Sequence, residues 1–206
     1  MPIFSYLFGI LILVFGYFLG SIPSGYLAGR WLAGVDLRQI GSGSTGATNV
    51  LRHVGKWPAL AVFLIDVSKG AFAVLIAKAF LLNDYAQVAT GLTALIGHIW
   101  PIWLEWKGGK AVATGLGILL GLSWPVGAAC FGVFLIVISF SKIVSLSSVI
   151  AAISLPLLML IQFHGNDFRP AYFVLSLLTM AIVLWRHRAN LQRLLTGKEP
   201  RVGQSR

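Results

Sequence analysis

Four short segments of this sequence combine residue types suited to holding phosphate. The first is Gly41-Ser42-Gly43-Ser44-Thr45-Gly46-Ala47-Thr48-Asn49, followed by Arg52. Glycines free the backbone to aim its N–H groups at one point, the hydroxyls and the amide add donors, and an arginine supplies a bidentate fork. Arg52 stands three residues after Asn49, which on a helix is the same face. The competing reading is a flexible glycine-rich connector. It is not a Walker A loop, because no Gly-Lys-Ser/Thr closes it. The second segment, Lys107-Gly108-Gly109-Lys110, sets two cations about a Gly-Gly immediately before an apolar stretch. Backbone donors and the positive end of a helix would hold a second anion there, while a lysine pair that only sets membrane topology would look the same.

The third segment is Lys142 with Ser145-Leu146-Ser147-Ser148. Ser147 and Ser148 either donate to a phosphate or cap the helix that follows. The fourth, Arg186-His187-Arg188-Ala189-Asn190-Leu191-Gln192-Arg193, puts His187 and Asn190 three apart, so a helix presents both to one partner; a basic interfacial anchor is the plainer alternative. Asp66 and Lys69 share a face inside an apolar stretch, where they either lock helix packing or line the site. His98, in Gly97-His98-Ile99-Trp100-Pro101, is either a hydrogen-bonded structural residue or a base. Other chemistry is excluded. Cys130 is the only cysteine and lies away from the basic segments, so a thiol nucleophile is not expected. The positions five after His53, His98, His164 and His187 are Pro58, Trp103, Arg169 and Gln192, so the His-x4-Asp dyad of soluble acyltransferases is absent. No His, Cys and carboxylate cluster has metal spacing, and neither a metal nor a cofactor is expected.

The elements that must position these groups are set by composition. The chain has 206 residues, 57% hydrophobic and 11% charged, with a net charge of +10 and a mean hydropathy of +0.85. A water-soluble core cannot hold that much apolar side chain, so the surplus needs lipid. Disorder and a disulfide framework are excluded by the same figures. Basic residues in so apolar a chain set topology or bind headgroups and phosphates, and no nucleic acid is expected.

Apolar stretches at 3–22, 57–77, 86–104, 149–163 and 170–185 each approach the length of a membrane-crossing helix. The first lacks a basic leader and reads as a retained span. The 31 uncharged residues between Lys110 and Lys142 would make one helix of about 47 Å, too long for a hydrocarbon core of about 30 Å. Two short spans broken near Ser123-Trp124-Pro125 fit better. The expectation is an all-α polytopic membrane protein of seven transmembrane helices, N-terminus outside and C-terminus cytoplasmic. That arrangement puts 13 of the 16 basic residues on the cytoplasmic side, Arg206 in the tail among them. Residues 1–206 read as a single domain, with 197–206 a frayed cytoplasmic tail.

Taken in order and spacing, these phrases resemble the bacterial acyl-phosphate:glycerol-3-phosphate acyltransferase family. They comprise Gly20-Ser21-Ile22-Pro23-Ser24-Gly25, the Gly41 to Asn49 run with Arg52, Asp66 with Lys69-Gly70, Gly97-His98 leading to Lys107-Gly108-Gly109-Lys110-Ala111-Val112-Ala113-Thr114, and His187 with Asn190 and Gly197. The resemblance covers essentially the whole chain. Two positions depart from it: Ser44 where the family usually has Asn, and Ala111 where it usually has Gly. The resemblance implies a multi-pass inner-membrane enzyme whose active site faces the cytoplasm. Such an enzyme moves the acyl chain of an acyl phosphate to the sn-1 hydroxyl of glycerol 3-phosphate, giving lysophosphatidic acid and inorganic phosphate, at the start of phospholipid synthesis. It implies Ser42, Arg52, Lys110, His187 and Asn190 as the glycerol 3-phosphate residues, with Lys110, Arg52 and His187 central to catalysis. The Gly108 and Gly109 N–H groups, with Ser147 and Ser148, are then expected on the acyl phosphate.

The residues suit that chemistry. One substrate has a lipid tail and the other is a small cytosolic dianion, so cations belong on the cytoplasmic side. An acyl phosphate carries a good leaving group, and orientation with charge stabilisation suffices without an acyl-enzyme. Either His187 or a phosphate oxygen takes the proton of the attacking hydroxyl. A soluble acyl-phosphate synthase is an open partner for the basic face. The rival readings are a transporter of a phosphorylated metabolite, although no repeated halves are evident, and a non-catalytic scaffold on anionic lipid.

Overall fold

The computed structural model describes residues 2–203, with side chains from residue 7 onward; Met1 and the end of the expected tail, Arg206 included, lie outside the described residues. Those residues form ten α-helices and no strand. The chain comprises two compact units, Met1–Leu122 and Ser123–Arg206. The division falls at Ser123, whose extended backbone ends one helix while Pro125 opens the next, at the expected break.

The first unit contains α1 (Pro2–Gly20), α2 (Ser24–Ala33), α3 (Ala47–His53), α4 (Lys56–Ala79), α5 (Asp84–Ile99) and α6 (Val112–Leu122). Small residues let its helices approach closely. Gly70 and Gly117 bring α4 and α6 together so tightly that a Cβ at either would overlap a carbonyl of the other helix, and Gly20 and Gly97 do the same for α1 and α5. Close backbone approach replaces the hydrophobic drive that is missing between helices in lipid. The outward faces are apolar, as Leu7, Leu11, Leu64 and Phe72 show, and such faces need hydrocarbon as their solvent.

The second unit contains α7 (Trp124–Ser141), α8 (Val144–Gln162), α9 (Pro170–Arg186) and α10 (Arg188–Leu195). The stripe Leu175, Ser176, Thr179 and Val183 faces inward on α9 and continues across a 60° bend to His187 and Asn190. Within the expected tail, the described residues 197–203 make contacts with the rest of the unit. Glu199 is buried, and the Val202 N–H donates to the Lys142 carbonyl at 2.7 Å.

Among the described residues, four helical stretches are long and apolar enough to cross a membrane, Leu7–Ala33, Lys56–Ala79, Trp124–Ser141 and Val144–Gln162, and α9 joined to α10 would make a fifth. The seven expected spans are therefore not matched by length alone. At 16 and 11 residues, α5 and α6 extend only about 24 Å and 17 Å. Pro101 is the cause for α5, because it forces Trp100 out of helical geometry.

Candidate active site

The segment 34–46 is no flexible connector. Leu37 lies fully buried on Val50, Ala59 and Val62, with Ile40 and Val54 packed against the same cluster. Asn49, 1% exposed, holds the turn above it. Its side-chain N–H groups donate to the carbonyls of Leu37, Ile40 and Ser44 at 3.0 to 3.1 Å, and its Oδ1 accepts the Ser42 N–H at 3.2 Å. The amide expected among the phosphate donors is thus committed to shaping the loop. Gly41 sits in the left-handed region at φ 60°, and a Cβ there would overlap Asn49 Oδ1 and His53 Nε2. Ser42 and Arg52 are exposed above this framework, whereas Asn49 on the same helix turns inward.

The second loop, residues 100–111, is also built on close contact. The Gly108 N–H donates to the Ile99 carbonyl at 3.0 Å and the Gly109 N–H to the His98 carbonyl at 3.1 Å. These donors were expected on the acyl phosphate. Both instead extend the end of α5, whose last carbonyls lack helical partners. The two glycines serve proximity: a Cβ at Gly108 would overlap the His98 carbonyl oxygen, and one at Gly109 the His98 imidazole. Lys110 emerges half-buried from this seat, while Lys107 is exposed and pairs with Glu105 at 3.4 Å. Glu105, Trp106 and Ala111 all have left-handed φ, of 53°, 64° and 61°. Three such residues within seven positions concentrate backbone strain in the loop that carries Lys110, as functional loops often do.

Arg38 ties the two loops together. It grips Asp36 through Nε and Nη2 at 3.0 and 2.7 Å and donates Nη1 to the Leu104 carbonyl at 3.2 Å. That hydrogen bonding holds the Asp36 carboxyl below its ordinary pKa against the opposing effect of burial. Sequence reasoning counted Arg38 only as a topogenic charge. Beneath both loops, Asp66 and Lys69 pair at 2.9 Å, with Ser24 Oγ donating to the same carboxylate oxygen at 2.7 Å and His98 Nδ1 at 3.7 Å from it.

In the second unit, the Ser147 and Ser148 hydroxyls donate to the Ile143 and Val144 carbonyls, both at 2.9 Å, one turn back. Neither hydroxyl caps α8, whose N-cap position is Ile143 with no side-chain cap; both protons go to carbonyls within the chain. His187, 3% exposed, has Nδ1 2.8 Å from the Val183 carbonyl. A carbonyl only accepts, so Nδ1 carries a proton and Nε2 is the nitrogen that can exchange one. Asn190 donates Nδ2 to Glu199 Oε1 at 2.6 Å, Ser145 donates to the same oxygen at 2.7 Å, and Arg193 Nε donates to Oε2 at 2.7 Å. Burial raises the Glu199 pKa, but these three donors outweigh it and leave it below the ordinary value. Glu199, and its pairing with Ser145, were missed. The signal was a lone acid in a tail of cations.

The structure thus gathers Ser42, Arg52, Gly108, Gly109 and Lys110 onto two connected loops of one unit, and Ser147, Ser148, His187 and Asn190 onto the polar end of the other. Cys130 is buried, with its thiol on the Ala151 carbonyl at 3.5 Å. Among the described residues, no three His, Cys, Asp or Glu side chains stand close enough to share a metal ion.

The family model described as glycerol-3-phosphate acyltransferase matches residues 10–197. A protein of that name from Prochlorococcus marinus (strain MIT 9313) is 72% identical over 98% of this chain and 99% of its own length. Another, from Synechococcus sp. (strain CC9605), is 69% identical over 94% of each. Among solved structures, the glycerol 3-phosphate form of PlsY (YgiH), an integral membrane glycerol 3-phosphate acyltransferase, superposes with a TM-score of 0.88 at 38% identity, covering 95% of this chain and 96% of that one. Its lysophosphatidic acid form gives 0.85 at 37% identity, covering 95% of each.

Proposed function

We propose, from the premise that this chain belongs to the glycerol-3-phosphate acyltransferase family, that its acyl donor is an acyl phosphate and its acceptor the sn-1 hydroxyl of glycerol 3-phosphate. The coarser statement needs no proposal: the protein is an integral membrane glycerol-3-phosphate acyltransferase of phospholipid synthesis. The observation that carries the finer reading is the pair of ordered basic loops, joined at Arg38, that carry Arg52 and Lys110. An acyl phosphate needs no acyl-enzyme, because phosphate leaves readily once its charge is met.

In this reading Ser42, Arg52 and Lys110 are the glycerol 3-phosphate residues of the first unit, and His187 and Asn190 those of the second. Lys110 also meets the charge on the acyl phosphate. Gly108 and Gly109 contribute shape, setting where Lys110 emerges, and Ser147 and Ser148 reach the donor by rotating their hydroxyls off the helix. The sn-1 oxygen bonds to the acyl carbon, the carbon–oxygen bond to phosphate breaks, and the hydroxyl proton passes to a phosphate oxygen. His187 is then a binder, since a neighbouring dianion favours its charged form and leaves Nε2 without a free pair.

The topology belongs to the same proposal: seven spans formed by α1 and α4 to α9, N-terminus outside, and the site open to the cytoplasm from the inner membrane. Exposed Trp31, Trp57, Trp103, Trp106 and Trp185 adjoin the basic loops and the basic tail, as tryptophans do at a membrane–water boundary. Short α5 and α6 cross with local thinning of the bilayer. The basic face would receive a soluble acyl-phosphate synthase. Kinetics test the residue roles. His187→Ala should raise the KM for glycerol 3-phosphate and keep turnover at saturation, and a collapse in turnover with intact binding would make His187 the base instead.

A further inference from the structure

Asp66, Lys69, Ser24 and His98 are four polar side chains buried together in the first unit, with exposures from 1% for Asp66 to 8% for Ser24. None of them is needed by the chemistry above. Charges inside a spanning helix are costly, and they persist where they serve the site or lock the fold. Their contacts lead in two directions. Asp66 Oδ1 accepts from Ser24 Oγ, at the first residue of α2, and α2 in turn abuts the first loop: a Cβ at Gly25 would overlap the Thr45 carbonyl. The same oxygen lies 3.7 Å from His98 Nδ1, and the His98 carbonyl and imidazole form the seat of Gly109, next to Lys110. Lys69 neutralises the carboxylate at 2.9 Å and donates to the Ile22 carbonyl at 3.1 Å, just ahead of α2.

We infer that Asp66 and His98 are positioning residues for glycerol 3-phosphate binding: one buried carboxylate anchors the bases of both loops, through Ser24 towards Arg52 and through His98 towards Lys110. The inference deepens the functional reading and rests on its assignment of Arg52 and Lys110. It also separates two roles for the intramembrane pair. Lys69 is the counter-charge, and Asp66 with His98 transmits position. A network that only stabilised the fold would leave the binding constants of the folded protein unchanged.

The test uses the purified full-length protein in detergent, with monodisperse elution and a melting transition as the measure of folding. Isothermal titration with glycerol 3-phosphate alone gives Kd without any acyl donor, and steady-state kinetics give KM and kcat. His98→Gln removes the ring beneath Gly109. The double change Asp66→Asn with Lys69→Gln removes the anchor and leaves no unpaired buried charge. Either folded variant is expected to weaken glycerol 3-phosphate binding about tenfold or more, the scale of a catalytic group displaced by a fraction of an ångström. The rise in Kd should match that in KM, and any fall in kcat reports the displacement of Lys110 from the acyl phosphate. Folded variants with the parental Kd and KM would overturn the inference and leave the network as packing. Ser24→Ala removes a single hydroxyl and decides the matter by the same readout if both larger changes aggregate. Lys110→Ala is the separate control: if it binds glycerol 3-phosphate as the parent does, the assignment of Lys110 fails, which is distinguishable from a failure at His98 alone.

Discussion

Replacing Glu199 by Gln should cost the protein about 2 kcal/mol and should do so only above acidic pH. Glu199 receives Asn190 and Ser145 on one oxygen and Arg193 on the other, at 2.6 to 2.7 Å. Hydrogen bonds to a charged acceptor contribute roughly 1.5 to 3 kcal/mol each. The Arg193 side chain is 40% exposed, so its share is nearer the value of a surface pair, below about 1 kcal/mol. Glutamine keeps a neutral acceptor for Asn190 and Ser145 but turns an N–H2 towards Arg193, which leaves a net loss of about 2 kcal/mol. The pH dependence follows from the lowered Glu199 pKa. The stabilisation is present above the unfolded glutamate pKa, near 4.3, and is lost as pH falls through the lower folded value. For a chain of this length the expected drop in Tm is about 4 to 8 °C at pH 7, shrinking towards zero in acid. Thermal unfolding in detergent, followed by size-exclusion chromatography at both pH values, reads it directly. The reasoning is refuted if the variant melts with the parent at pH 7, or if the difference is the same at pH 7 and in acid.

Three further substitutions probe the loops. Asn49→Ala strands three carbonyls and the Ser42 N–H, at about 1 to 3 kcal/mol for each buried group left unmatched. It should open the segment to trypsin at Arg38, and an unaltered digestion rate would count against the amide as the loop's organiser. Gly109→Ala pushes a methyl into the His98 ring and should raise the KM for glycerol 3-phosphate well before it lowers Tm; a variant with parental KM would show that the loop relaxes freely. Ala111→Gly removes a left-handed alanine at φ 61°, worth about 1 to 2 kcal/mol. The greater freedom of glycine in the unfolded chain offsets about 0.4 to 1 kcal/mol of that. A Tm raised by up to a few degrees is expected, and a clear fall would mean that the alanine methyl packs favourably.

Much of this arrangement was legible in the residues because it depends on local pattern. Long apolar runs gave α1, α4, α8 and α9, and Ser123 with Pro125 marked a helix break without any tertiary information. His187 and Asn190 are both buried but on different partners: His187 stands at the bend between α9 and α10 against the Val183 carbonyl, and Glu199 fixes Asn190. What stayed hidden depends on partners remote in sequence. Glu199 meets Ser145 across 54 positions, and Arg38 meets the Leu104 carbonyl across 66. The Gly-Gly before Lys110 shows a second limit. Its composition marks a place where the backbone is unobstructed, but whether the N–H groups face a ligand or the end of α5 is decided by helix packing. Asn49 illustrates the same point, being a donor by type and an internal strut by position.

The acyl donor is the central claim and the most direct thing to measure. Purified protein in detergent or lipid mesophase should be supplied with palmitoyl phosphate, with and without glycerol 3-phosphate, while phosphate release is followed and the lipid product is identified by mass. Lysophosphatidic acid matched by phosphate release, which acyl-CoA or acyl-carrier protein cannot reproduce, is the predicted result. Lysophosphatidic acid formed from a thioester donor, with palmitoyl phosphate inert, would contradict it.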